Sequence, residues 1–122
     1  METLEILKIA ANALNDKKAI NIKAIKIGDL TVLTDYFLLA TATSSTHVRS
    51  LAEEVEFKLE EGGIRPLRVE GKSTGWILLD FGTVIVHVFT RDSREFYGLD
   101  QMWADGQEVE LSNMLNLGVE EE

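Results

Sequence analysis

Residues 71–98 read GKSTGWILLDFGTVIVHVFTRDSREFYG, and the rest of the chain is organised around them. Two short apolar runs, 76–81 and 84–90, flank the pair Gly82-Thr83, and both are rich in β-branched or aromatic residues. Runs of this length and composition predict two strands of a tight antiparallel hairpin. Because few positions in either run suit contact with water, we expect the hairpin to lie inside a sheet.

Three residues of this hairpin depart from its apolar composition. Side chains alternate across a strand, so Trp76, Leu78 and Asp80 share one face of the first run. In the second run, His87 interrupts an otherwise apolar sequence. Trp76, Asp80 and His87 are therefore polar or amphipathic residues in strands that otherwise suit a core, and they are the first candidates for function.

The segment before the hairpin predicts a strand, a helix and a second strand. Residues 36–41 are apolar on both faces, which favours a central position in the sheet. Residues 46–61 follow the period of an amphipathic helix. Its inward stripe comprises Val48, Leu51, Ala52, Val55 and Leu59. Residues 65–70 follow as a strand with Leu67 and Val69 facing inward, so we expect a parallel crossover.

Two elements are predicted at the amino-terminal end of the chain. Residues 3–16 show helical periodicity, with Leu4 on the buried stripe and Thr3 as the expected cap. Residues 20–27 alternate between apolar and polar side chains. This alternation predicts a half-exposed strand near an edge of the sheet.

The carboxyl-terminal part predicts a short, irregular helix over residues 92–103, broken near Gly98, and a last strand segment around residues 109–111. The predicted fold class is therefore α/β, with a mixed sheet of about five strands and flanking helices. We expect one domain over residues 1–111. Residues 112–122 end in three glutamates and are predicted to form an acidic, mobile tail.

Charge and composition narrow the classes of function. The 122 residues include 12 Lys and Arg against 21 Asp and Glu, for a net charge of −9. Nucleic-acid binders neutralise phosphates with Lys and Arg, so direct sequence-specific binding of nucleic acid is disfavoured. An acidic surface suits a basic partner, although it also simply favours solubility. No apolar run approaches the roughly 20 residues of a membrane helix, and we expect no membrane association and a cytoplasmic protein.

Catalytic and metal-binding patterns are weak in this sequence. Residues 43–45 (Thr-Ser-Ser) either cap the following helix or hold an anion on its free N–H groups. A nucleotidyl or phosphoryl transferase using that junction also needs paired acids for magnesium, and the sequence has no D-x-D pair. We predict no cofactor and no metal site, since His47 and His87 are the only histidines and cysteine is absent. His87 is instead expected to be buried or interfacial and hydrogen-bonded to a carboxylate.

Several separated motifs follow one another along the chain. They are Asp35-Tyr36-Phe37, Arg68-Val69-Glu70-Gly71, Trp76-Ile77-Leu78-Leu79-Asp80-Phe81-Gly82, Val86-His87-Val88-Phe89 and Arg94-Glu95-Phe96-Tyr97-Gly98-Leu99, followed by Trp103. In that order and spacing they resemble the ribosomal silencing factor family, also called the Iojap family. The resemblance covers nearly the whole chain up to about Leu111. It implies a non-enzymatic, homodimeric factor with a nucleotidyltransferase-like topology.

The resemblance also implies a mechanism. Such factors bind the large ribosomal subunit through ribosomal protein L-fourteen, block joining of the small subunit and repress translation when nutrients are limiting. Two alternatives from other classes stay open at this point. One is a nucleotidyl or phosphoryl transferase of the same fold, and the other is an acidic protein-binding module unrelated to ribosomes.

Candidate contact residues follow from this expectation. Trp76 is the predicted apolar anchor, because Trp buries a large area at interfaces and keeps one hydrogen-bond donor. Asp80 and Glu70 are expected to pair with basic side chains of the partner. The partner-binding set is completed by Gly71, His87 and Tyr97. Phe57 lies off the core stripe of its helix and is the candidate for the dimer contact.

Overall fold

The computed structural model describes residues 1–71, 75–112 and 114–115. Four helices and six strands are described within these residues. In chain order they are α1 (Thr3–Asp16), β1 (Ile20–Lys26), β2 (Tyr36–Ala42), α2 (Ser45–Glu61), β3 (Arg68–Glu70), β4 (Trp76–Asp80), β5 (Val84–Thr90), α3 (Arg91–Tyr97), α4 (Leu99–Met102) and β6 (Gln107–Val109). The strands form one sheet in the order β3-β4-β5-β2-β1-β6.

The hairpin at the centre of the sequence is confirmed. Strands β4 and β5 pair antiparallel, with Leu78 opposite His87. Gly82 in the turn adopts a φ of 88°, a left-handed conformation that glycine tolerates better than other residues. Strand β5 also pairs parallel with β2, which places Tyr36 opposite Val84 and makes the sheet mixed. The predicted α/β class with a mixed sheet is confirmed, and β2 occupies an interior position as expected.

The sheet contains six strands rather than about five. The sixth, β6, pairs antiparallel with β1 and places Val109 opposite Ala24. Strand β1 is therefore next to the edge, in agreement with its half-exposed pattern. Strand β3 forms the other edge and runs in the same direction as β2, as the crossover predicts, but β4 and β5 lie between them.

The prediction that Leu67 faces the core is wrong. Strand β3 begins at Arg68, three residues later than predicted, and Leu67 is 75% exposed. Its near neighbour is Gly82, which has no side chain to pack against it. Val69, in contrast, is partly buried against the core as expected. The Pro66-Leu67 segment precedes the strand, so alternation counted from residue 65 starts too early.

Helix α1 has the predicted bounds but not the predicted cap. Its N-cap residue is Glu2 rather than Thr3, and the backbone N–H of Glu2 donates to the Glu5 carboxylate at 3.2 Å. Leu4 is 53% exposed, so its assignment to the buried stripe is also wrong. Helical side chains lean toward the N-terminus, and Leu4 lies in the first turn, beyond which α1 does not continue.

Helix α2 is capped by Ser44, whose Oγ accepts a hydrogen bond from the His47 N–H at 3.1 Å. The predicted inward stripe of α2 is confirmed, since all five of its residues are buried. The break at Gly98 is also confirmed, because that residue adopts a φ of 62° and separates α3 from α4. Of the predicted tail, residues 113 and 116–122 lie outside the described residues.

The two faces of the sheet carry different side chains. We call the face that α1 and α2 pack against the covered face; from the hairpin it contains Ile77, Leu79, Val84, Val86 and Val88. We call the opposite face the open face; it contains Phe37, Leu39, Ile85 and Phe89, with Trp76 and Leu78 at its margin. Helices α3 and α4 lie against the open face. No helix within the described residues is long and apolar enough to cross a membrane.

Candidate partner-binding surface

Trp76 lies at the boundary between the open face and solvent. Its side chain is partly buried, and its indole Nε1–H donates to His87 Nδ1 at 3.1 Å. Its ring lies 4.5 Å from the Tyr97 ring and 5.6 Å from the Phe89 ring, measured between centroids. The indole is therefore held by neighbours on several sides while part of it stays accessible, as an interface anchor requires.

The aromatic surface continues from Trp76 onto α3. The Tyr97 ring packs edge-to-face against Phe96 at 5.0 Å, and these two residues are 47% and 81% exposed. We call Trp76, Tyr97 and Phe96 the aromatic stripe. Phe96 is not among the contact residues predicted from the sequence, although it stands next to Tyr97 there. An exposed, contiguous set of aromatic rings is typical of a surface that binds another protein.

His87 supports the stripe from beneath. It is 4% exposed, and burial lowers its pKa from 6.5 to about 4. Because Nδ1 accepts the indole N–H, the imidazole carries its proton on Nε2, which has no acceptor among the described residues. Its ring also packs edge-to-face against Phe37 at 4.7 Å. The expected carboxylate partner is therefore replaced by Trp76, and His87 orients Trp76 rather than facing solvent.

The two predicted acidic contacts lie beside each other on the same surface as Trp76. Asp80 lies opposite Arg68 and Glu70 lies opposite Leu78 in the β3–β4 pair. Arg68 bridges the two acids: its Nε donates to Asp80 Oδ2 at 3.2 Å and its Nη1 donates to the Glu70 carboxylate. These contacts, the hydrogen bond to Asp80 first, raise the pKa of Arg68. Both carboxylates are thus already paired with a cation of the same chain, Arg68.

Asp80 and Glu70 differ in how accessible they are. The Asp80 side chain is 16% exposed, and its second oxygen accepts the Gly82 N–H at 2.8 Å, which closes the hairpin turn. The Glu70 side chain is 57% exposed. Sequence analysis missed Arg68, although alternation in Arg68-Val69-Glu70 places its side chain on the same face as Glu70. Glu70 is therefore the carboxylate that a partner reaches more easily.

The other candidates lie in two places. Gly71 follows β3, is exposed and adopts a φ of 85°. It leads into residues 72–74, which lie outside the described residues. Phe57 is 54% exposed on α2, which packs on the covered face. The structure therefore brings Trp76, Asp80, Glu70, His87 and Tyr97 together and leaves Phe57 on the other side of the sheet.

A partly buried ion pair joins the two short helices to the sheet. The Arg94 Nε and Nη2 donate to the two oxygens of Asp100 at 3.0 Å each. Arg94 Nη1 donates to the Asn21 carbonyl at 2.7 Å and to Thr41 Oγ1 at 3.0 Å. These contacts, led by the hydrogen bond from Arg94, lower the pKa of Asp100. Sequence analysis missed this pair, because Asn21 and Thr41 lie far from Arg94 in the chain.

The junction considered for a transferase lies at the carboxyl ends of β2 and β5. An open cavity of about 470 Å³ is lined there by residues 43–45, Thr90 and Arg91. The Ser44 hydroxyl caps α2, and the Thr43 N–H donates to His47 Nδ1 at 2.9 Å. His47 is on α2 and His87 is on the open face, so the two histidines do not come together. Across the part of the chain that the structure describes, no group of three or more His, Asp or Glu side chains is arranged to hold a metal.

Comparison with known proteins supplies the context for this surface. Residues 1–122 match the family model described as "Ribosomal silencing factor during starvation". The chain is 36% identical over 117 residues to the ribosomal silencing factor RsfS of Halalkalibacterium halodurans, covering 95% of this chain and 100% of that protein. It is 37% identical to the protein of the same name from Bacillus subtilis, covering 95% and 99%.

A solved structure from Chromobacterium violaceum superposes with a TM-score of 0.83 at 35% identity, covering 92% of this chain and 93% of that one. A structure from Bacillus halodurans gives a TM-score of 0.79 at 36% identity, covering 89% and 100%.

Proposed function

Because this chain belongs to the ribosomal silencing factor family, we propose that it binds the large ribosomal subunit through ribosomal protein L-fourteen and prevents the small subunit from joining. Membership of the family gives the chain a ribosome-associated silencing role in the regulation of translation. The proposal adds the partner, the steric mechanism and the condition, which is nutrient limitation. It also places the protein in the cytoplasm, where subunits join.

The observation that carries this proposal is the position of Trp76. Its indole is fixed by the hydrogen bond to His87 and by the Tyr97 ring, while part of its surface stays accessible. A preorganised aromatic side chain loses little conformational entropy on binding, which is why Trp and Tyr are frequent hot spots. In this proposal Trp76 and Tyr97 enter an apolar site on the ribosomal protein, with Gly71 at the margin of the contact.

The acidic side chains add orientation. The chain carries a net charge of −9, and ribosomal proteins that contact RNA carry basic surfaces. Glu70 is the accessible carboxylate, and a basic side chain of the partner competes with Arg68 for it. Asp80 contributes mainly by holding the hairpin turn and Arg68 in place. The charge pairs thus select the partner's orientation more than they supply affinity.

The proposed activity needs no chemistry, cofactor or metal from this chain. A factor that covers the joining surface of one subunit excludes the other by volume alone. The competing function is a nucleotidyl or phosphoryl transferase at the junction of residues 43–45. Titration with nucleotides and magnesium separates the two, because a transferase binds them and a purely steric factor does not.

The central experiment measures binding to isolated large subunits and the joining of separated subunits. The wild-type protein should co-sediment with large subunits, reduce joining and leave preformed couples largely intact. Trp76→Ala should weaken binding by about 2 kcal/mol or more, roughly thirtyfold, because a hot-spot indole is lost. Phe57→Ala is the matched control, since it truncates an exposed aromatic ring on the other side of the sheet.

Folding of both variants is checked first by circular dichroism. Equal binding to the small subunit, or unchanged joining, contradicts the steric mechanism. A folded Trp76→Ala protein with wild-type affinity contradicts the assignment of the surface. If large subunits are not bound at any salt concentration, an acidic module for another partner becomes the better explanation.

We also propose that the protein is a homodimer, with Phe57 as the contact candidate. Phe57 is 54% exposed, and Lys58 Nζ lies 5.8 Å from its ring centroid. Because Phe57 and Trp76 lie on opposite sides of the sheet, self-association through Phe57 leaves the aromatic stripe free. Light scattering at micromolar concentration tests this: a single 13.6 kDa species contradicts the dimer.

A further inference from the structure

The α3–α4 segment carries part of the aromatic stripe but has little apolar anchorage of its own. No residue of α3 is buried, and Leu99 is the buried residue of α4. Packing of an apolar face normally supplies most of the stability of a helix in a protein. A seven-residue helix without buried side chains therefore needs another attachment if Tyr97 is to stay against Trp76.

That attachment is Arg94. Its side chain is 12% exposed, and its Nε, Nη1 and Nη2 groups all donate hydrogen bonds. The acceptors belong to α4, β1 and β2, so one guanidinium group connects α3 to three other elements. The guanidinium carbon also lies 5.9 Å from the centroid of the Phe89 ring on the open face. Arg suits this role better than Lys, because a planar fork holds several acceptors in fixed directions.

A bulge in β1 provides one of the acceptors for the Arg94 guanidinium group. The β1–β2 register shifts between Ile20 and Lys23, and Asn21 in that interval adopts a φ of 50°. A bulge of this kind leaves a backbone group outside the ladder. The Asn21 carbonyl accepts a hydrogen bond from Arg94 at 2.7 Å. Lys23, just after the bulge, lies 3.6 Å from Asp100 and adds a second positive charge to the same acid.

We propose that Arg94 is a positioning residue for partner binding, which fixes the aromatic stripe by locking α3 and α4 to the sheet. Residues three apart on a helix lie on the same side, so anchoring Arg94 also fixes the direction of Tyr97. The Gly98 N–H donates to the Arg94 carbonyl at 3.1 Å, and the Asp100 carboxylate accepts a hydrogen bond from the Arg94 side chain. These two contacts connect α3 to α4 across Gly98. This inference rests on the proposed function, because its readout is binding to the large subunit.

The test is a double-mutant cycle. Arg94→Gln combined with Asp100→Asn removes both charges together, so neither partly buried charge is left without the other. This pair of changes should weaken binding to isolated large subunits roughly tenfold, an effect of the size expected for residues that influence a binding surface without contacting the partner. If Arg94 acts through Tyr97, adding the pair of changes to Tyr97→Ala should cause little further loss. Arg94→Lys, which keeps the charge but not the fork, should lose less affinity than the pair.

Arg65→Ala is the matched control, since that arginine is 80% exposed and pairs with Glu60 at 3.0 Å. It should bind as the wild type does. Hydrogen exchange should become faster in α3 of the combined Arg94→Gln, Asp100→Asn variant and stay unchanged in β2 and β5. If the combined variant does not fold, Asp100→Asn alone enters the same cycle.

Wild-type affinity in the combined Arg94→Gln, Asp100→Asn variant overturns the inference. A loss of affinity that multiplies with the loss caused by Tyr97→Ala overturns it as well. A wild-type protein that does not bind large subunits overturns the proposed function itself, and with it this inference. The two failures are therefore distinguishable.

Discussion

The covered and open faces of the sheet are built from different side chains, one suited to internal packing and the other to contact with another molecule. The covered face meets α1 and α2 through aliphatic side chains and alanines, nearly all of them inaccessible to solvent. The open face is rich in aromatic rings and contains the buried His87, and within the described part of the chain it meets the short helices α3 and α4. Aliphatic packing needs no partner outside the domain. Aromatic rings at a half-covered margin, in contrast, keep surface available for another molecule.

We infer that stability comes mainly from the covered face and recognition from the margin of the open face. Changes on the covered face should act on folding, and they should affect binding only by unfolding the domain. Changes at the margin of the open face should act on binding first. Experiments that compare matched residues on the two faces test this division.

The largest effect is expected on the covered face. Leu51 is fully buried on α2, and Leu51→Ala should lower the free energy of unfolding by about 2–5 kcal/mol through lost burial and a residual cavity. Leu78 is the same residue type on the open face and is only partly buried, so Leu78→Ala should cost clearly less. Urea denaturation of the two variants checks this. Equal losses of stability contradict the division between the faces.

The next effect concerns pH and the open face. Burial lowers the pKa of His87 from 6.5 to about 4, so between these pH values the unfolded chain binds a proton that the folded chain does not. Stability is therefore unaffected above pH 6.5 and falls as the pH drops from 6.5 toward 4, by about 3 kcal/mol in all. Urea denaturation across this range measures the slope.

His87→Gln provides the control, because an amide can still accept the Trp76 indole hydrogen and does not titrate. The variant should show a flatter pH dependence, whatever its absolute stability. His47 is present in both proteins and does not contribute to the difference. An unchanged slope contradicts the assignment to His87. The lowered pKa of Asp100 affects stability only below its ordinary value of 3.8, outside this window.

The smallest effect is expected at Arg68, on the rim of the open face. Arg68→Gln removes the internal cation that bridges Asp80 and Glu70. The freed Glu70 should then attract a basic partner more strongly, by roughly threefold or less at low salt, because exposed charge pairs contribute little. Titration with large subunits at two salt concentrations measures this change. Weaker binding instead indicates that Arg68 itself contacts the partner, or that it holds the acids in a productive position.

Periodicity predicted most of the fold because local side-chain patterns decide it. The bounds of α1, the five-residue stripe of α2 and the β4–β5 hairpin all follow from the spacing of apolar residues. The errors lie at element ends. Leu67 and Leu4 belong to a valid period, but both are exposed, and Leu67 lies beside Gly82, which offers no side chain.

The candidate surface was only partly predictable. Trp76, Glu70, Asp80 and Tyr97 stand out as polar or aromatic residues in or beside apolar strands, and the structure places them together. What alternation cannot give is the partner of each side chain. Whether His87 meets a carboxylate or an indole depends on the register of β4 against β5 and on rotamers. The hydrogen bond from Arg94 to the Asn21 carbonyl depends on a bulge in β1, and no local pattern in residues 91–97 indicates that bulge.

The parallel pairing at the middle of the sheet has a consequence for how the chain is made. Strand β2 can pair with β1 as soon as both leave the ribosome, but its other neighbour is β5, with Tyr36 opposite Val84 and Ala42 opposite Thr90. A chain synthesised from its amino terminus therefore exposes one apolar edge of β2 until residue 90 has emerged. Contacts between such distant segments also form slowly. Products truncated before Thr90 should be prone to aggregate during their own synthesis.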